Sequence, residues 1–115
     1  IMSAIIKATP EDAGCWLESS RGHYIGMYAV RIAEAAGMPL SEDDSLILSA
    51  YAQDKTVVIE GGELVIHGQQ DAGPIINDQG GLCDQATEWL TENVAPDGYE
   101  FEWVDGELHM SATAE

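Results

Sequence analysis

Residues 99–112, YEFEWVDGELHMSA, decide how this chain folds. Apolar and polar side chains alternate on both sides of Asp105-Gly106, the dipeptide most favoured in a type I′ turn, so the stretch predicts a two-stranded hairpin. Counting outward from the turn sets Tyr99, Phe101 and Trp103 against Leu108, Met110 and Ala112 on one face. Glu100, Glu102, Glu107 and His109 then point to the other, because side chains alternate with a period of two. One face is built for burial and the other is acidic. The segment before it supplies a cover: Leu82, Ala86, Trp89 and Leu90 fall at i, i+4, i+7 and i+8 and predict a helix over 82–93, ended by Pro96. Asp84, Glu88 and Glu92 occupy its remaining surface.

A helix followed by a hairpin also occurs earlier. Residues 55–68, KTVVIEGGELVIHG, place two Val/Ile-rich runs around Gly61-Gly62 and predict another hairpin, the first along the chain. Its register pairs Ile59 with Leu64 and Val57 with Ile66 on one face, and Val58 with Val65 and Thr56 with His67 on the other. Apolar pairs on both faces predict a hairpin covered on both sides or central in its sheet. Upstream, Ser41 precedes Glu42-Asp43-Asp44, a cap followed by three carboxylates at the positive end of the helix dipole. That predicts a helix over 42–53, with Leu46, Ala50 and Gln53 on one stripe and Ile47 and Tyr51 on the next. Ile25, Tyr28, Ile32 and Ala35 predict another over 22–36, with Ser20 as cap and Gly37 as stop. Gly26 costs about 1 kcal/mol relative to Ala inside a helix, so its presence predicts close packing there. Ala4, Ile5 and Ile6 predict an edge strand or extended arm, and residues 69–81, QQDAGPIINDQGG, a long loop. The expected architecture is α+β, a single domain over 1–115. Three helices pack on a mainly antiparallel sheet built from two β-hairpins, in the order (β)-α-α-ββ-α-ββ.

Charge narrows the partners. The 115 residues hold 21 Asp and Glu against four Lys and Arg, a formal net charge of -17, where roughly 2 to 8 in magnitude suffices for a small soluble domain. Direct nucleic-acid binding through a basic footprint is excluded, as is electrostatic docking on anionic membranes. Basic proteins and cations remain. The 45% hydrophobic content separates the chain from acidic disordered tails. No run approaches the roughly 18–20 apolar residues of a membrane span, and no signal-peptide pattern opens the chain, which predicts a cytoplasmic protein. The first 55 residues hold eight acids and four bases, while residues 56–115 hold thirteen acids and no Lys or Arg.

Chemical motifs are sparse. Cys15 and Cys83 have no CxxC partner and read as buried or half-buried thiols, with a disulfide only if they meet in space. His23, His67 and His109 form no HExxH or HxH pattern, so a metal site would have to be assembled from distant segments. Nothing in the spacing recommends a cysteine nucleophile paired with one of these histidines. EF-hand and phosphate-cradling patterns are absent. Glu60 and Glu63 face one another across the Gly-Gly turn, where a cation or basic partner would relieve their repulsion. Trp16 stands beside Leu17 in a turn-rich stretch, where it either closes the core or anchors a partner.

The sequence therefore predicts a non-enzymatic binding protein without metal or cofactor. Its expected binding face comprises Asp84, Glu88, Glu92, Glu100, Glu102 and Glu107. Acids every second to fourth residue approach the charge density of duplex DNA, one per about 1.7 Å of axis. Such a face can imitate nucleic acid and block a basic nucleic-acid-binding protein, the profile of small acidic inhibitors carried by phages and mobile elements. By that analogy it would act in the cytoplasm of a host. The alternative is an accessory or structural domain whose acidity reflects a halophilic or acidic proteome, and behind it a small cysteine- or metal-dependent enzyme.

Overall fold

A computed structural model describes residues 7–58, 61 and 65–113, apart from the side chains of Ser20, Arg21 and His23. Its elements are β1 (Gly14–Leu17), α1 (Ile25–Ala36), α2 (Glu42–Gln53), β2 (Thr56–Val58), β3 (Val65–His67), α3 (Gln69–Asn77), α4 (Leu82–Asn93), β4 (Tyr99–Val104) and β5 (Glu107–Ala112), with short 3-10 turns at Pro10–Asp12 and Ser19–Tyr24. The class is α+β, as expected. Two antiparallel sheets divide the strands, one in the order β1-β5-β4 and the other the β2-β3 hairpin alone.

The second hairpin carries the expected register, Tyr99 opposite Ala112, Phe101 opposite Met110 and Trp103 opposite Leu108. Asp105 (φ 51) and Gly106 (φ 79) both take the positive φ that a type I′ turn requires. Phe101, Leu108 and Met110 are buried, each worth about 1.5–3 kcal/mol in apolar surface removed from water. The helix α4 covers them. Its Thr91 Oγ1 accepts the Phe101 amide at 2.9 Å, and its Thr87 Oγ1 accepts Trp103 Nε1 at 3.0 Å. Backbone polarity on β4 that has no strand partner is thus satisfied by a helix side chain. Trp16 closes the core from β1: its ring meets Phe101 edge-on at 4.8 Å, and its Nε1 donates to the Asp12 carbonyl.

Two helices, α2 and α4, have the bounds expected of them. α2 is capped by Ser41, whose Oγ accepts the Asp44 amide at 3.0 Å. Its buried face, Ile47, Leu48, Ala50 and Tyr51, is turned from the expected stripe, leaving Leu46 37% exposed. In α1 the helix begins at Ile25 rather than residue 22, because the chain kinks at Gly22 and the preceding turn is 3-10. Ser20 therefore lies inside that turn and does not cap α1. Gly26 is a close-packing point, as its cost predicted: a β-carbon there would run into Asn77 Oδ1 and stand 3.5 Å from Cβ of Cys83.

Three further expectations about the architecture are corrected. Residues 69–77 are helical, not loop: α3 buries Ala72 and Ile76 one turn apart, and its N-terminus is held by Asp54 from beyond the first hairpin. The two hairpins do not share one sheet, and β1 rather than the first hairpin joins β4 and β5. Nor is the first hairpin covered on both sides. Its register is as read, with Val57 opposite Ile66 and Val58 opposite Val65. Ile66 is buried against α2 and α3, while Val58 and Val65 are 65% and 42% exposed. The residue 4–6 run, the Ile59–Leu64 pair and the Glu60–Glu63 pair lie outside the described residues.

Candidate functional site

Two groups of side chains carry chemistry. The first is the acidic set read from the sequence. On α4, Glu88 and Glu92 are exposed and each follows a threonine that bonds β4, which places them about 100° round the helix from that contact. Asp84 is also exposed, but its carboxylate accepts the Gly80 amide at 2.8 Å and steadies the turn before α4. Across the strand, alternation puts Glu100 and Glu102 on the face of β4 opposite Trp103. Acids therefore border β4 from two sides, the helix flank and the open sheet face. Among the described residues, Arg31 forms an ion pair with Glu34, and the His109 ring contacts the Glu107 carboxylate. Glu88, Glu92, Glu100 and Glu102 have no cationic partner among them.

Glu107 belongs elsewhere. It is half-buried, lies 3.1 Å from His109 Nε2 through one oxygen, and accepts the Ser19 amide through the other at 3.4 Å. Those two contacts, the His109 bond first, hold its carboxyl below the usual glutamate range. Cys15 stands opposite His109 in the β1–β5 ladder, on the same open face. Its sulfur, a Glu107 oxygen and a His109 ring nitrogen all lie within 4.8 Å of one another. Sequence reasoning missed this second group, since it rests on the pairing of β1 with β5 and no spacing motif signals that pairing.

The same geometry reads poorly as a nucleophile. Partial desolvation, then the carboxylates of Glu107 and Glu18, push the Cys15 thiol up, and its S–H donates to the Leu17 carbonyl. His109 Nε2 is engaged by a Glu107 oxygen at 3.1 Å. Cys15 also edges an apolar groove of about 480 Å³ walled by Trp16, Ile32, Ala36 and Val94, with Lys7 and Asp12 the charged residues that line it. Cys83 is buried, and burial pushes its thiol up to about 11. The hollow it lines, with Gly26, Asn77, Asp84 and Trp103, contains no histidine among the described residues.

Both cysteines are free, and Cys15 is exposed rather than buried as expected. Under native conditions at neutral pH, iodoacetamide is expected to alkylate Cys15 and spare Cys83, because access and thiolate fraction both favour the former. Intact-mass measurement should find one adduct in buffer and two in denaturant. Two native adducts would contradict the packing around Cys83.

No family model, curated protein or solved structure matches this chain.

Proposed function

We propose that the chain is a small, non-enzymatic acidic binding protein whose carboxylates along α4 and β4 occupy the basic groove of a nucleic-acid-binding protein, in place of a phosphate backbone. One observation carries the reading: thirteen acids follow Lys55 with no Lys or Arg among them, and His109 against Glu107 is the one base–carboxylate contact within that half among the described residues. Uncompensated charge of this density repels itself, and a basic partner turns the repulsion into binding energy. The test is capture on the immobilised chain at low and high salt, followed by competition with duplex DNA for the captured protein. Capture that falls steeply with salt and yields to duplex supports mimicry. Capture indifferent to either overturns it.

Stability against salt separates this reading from general proteome acidity. A protein whose charge serves a partner should be folded in dilute buffer, with a Tm that climbs as salt screens its acids. Most of the rise should be complete by a few tenths molar, where the Debye length has shrunk to well under about 8 Å. Sodium and potassium chloride should act alike. A fold that melts in dilute buffer and returns only in molar salt would assign the acidity to a halophilic environment.

A further inference from the structure

We infer that Cys15, Glu107 and His109 form a three-ligand site for a borderline-soft divalent metal ion, with zinc the best fit. Their donor atoms lie within 4.8 Å of one another. A tetrahedral zinc with bonds of about 2.0–2.3 Å needs its donors roughly 3.3–3.8 Å apart. Side-chain rotation closes that gap, since Cys15 is exposed and Glu107 and His109 are half-buried.

The backbone is already in place. Cys15 and His109 are ladder partners, and Glu107 precedes His109 by two residues on the same face. β5, which carries two of the three ligands, is the middle strand of its sheet. The Ser19 amide on the second oxygen of Glu107 fixes that carboxylate from behind, as outer contacts of metal-binding carboxylates do. A single ion there would also pin β1 across the register shift that lies between Cys15 and Leu17.

The donor set selects the metal class. Sulfur, nitrogen and oxygen together suit zinc and its neighbours, whereas magnesium and calcium take oxygen ligands. The surrounding charge favours a cation: Glu102 stands opposite His109 in the β4–β5 ladder. Lys7, at the groove beside Cys15, is a described base near the site. Three protein ligands leave a fourth position open for water or a donor from a bound molecule. None of this depends on the acidic face having a protein partner.

Metal-free full chain titrated with zinc by calorimetry, and with cobalt by absorption, tests the site. One ion per chain, a thiolate-to-cobalt charge-transfer band, and a Tm raised by zinc but not by equal magnesium are expected. Cys15→Ser and His109→Gln should each weaken zinc binding by more than about tenfold, with Cys15→Ser also removing the band. Cys83→Ser should change neither. Circular dichroism checks that the variants keep their fold. Zinc affinity unchanged in Cys15→Ser, several weak sites for which magnesium competes, or no zinc binding would each overturn the inference.

Discussion

Replacing Glu88, Glu92, Glu100 and Glu102 together with Gln is expected to abolish capture of the basic partner while making the fold more stable. The two effects have one cause. Glu88 and Glu92 are one helical turn apart and exposed, and Glu100 and Glu102 are next neighbours on one face of β4. Like charges at such spacings destabilise by a few tenths of a kcal/mol per pair, so relieving both pairs should raise stability by about 0.5–1 kcal/mol. In the proposed complex each charge would meet a cation, and at ~1 kcal/mol apiece their loss would lower affinity on the order of a thousandfold. The dependence of log K on log salt should flatten by roughly four contacts' worth. A urea midpoint and a competition titration on the same samples measure both effects. Undiminished capture would remove these four residues from the interface. Lost capture with a lowered urea midpoint would mean that the variant had been damaged rather than discharged.

Local signals made some elements legible in the sequence. The hairpin over 99–112 could be read residue by residue because its turn dipeptide fixes the register. α2 carries its own cap in Ser41, so its bounds follow from neighbours in sequence. α3 carries no such signal. Gly73 and Pro74 argue against a helix, and the group that satisfies its first amide is Asp54, at a sequence separation of 15. The open face of β2-β3 was misread for a related reason: alternation shows which residues share a face, but not whether anything covers it. Val58 and Val65 share theirs with solvent. The acidic residues were legible because charge needs no register. The Cys15–Glu107–His109 group was not, because its geometry comes from β1, four residues long with a register shift, docking against the far end of the chain.

The junction that creates α3 is also a place where a single methyl group should do heavy damage. Gly68→Ala is expected to cost about 3 kcal/mol. At φ 71 and ψ -141, Gly68 occupies backbone space that side-chain-bearing residues enter only at a cost of about 1–3 kcal/mol. The added carbon would also run into Asp54 Oδ1 and stand 2.9 Å from the Asp54 carbonyl carbon. Moving that carboxylate frees the Gln69 amide it caps at 3.0 Å, worth a further ~1 kcal/mol. Against a total stability of about 5–15 kcal/mol, such a loss lowers Tm by roughly 10–20 °C. Two comparisons isolate the mechanism. Asp54→Asn keeps an acceptor and tolerates the left-handed backbone (φ 53) that Asp54 adopts, so it should fall within about 0.5 kcal/mol of the parent. Asp54→Ala removes both the cap and the oxygen that the new methyl group strikes. Combined with Gly68→Ala, it should cost less than the two single losses added together, because contacting residues couple. Additive losses would mean that Gly68 acts through its backbone angles and its approach to the Asp54 main chain, not through the carboxylate. An unaffected Gly68→Ala variant would mean that α3 does not begin at this junction.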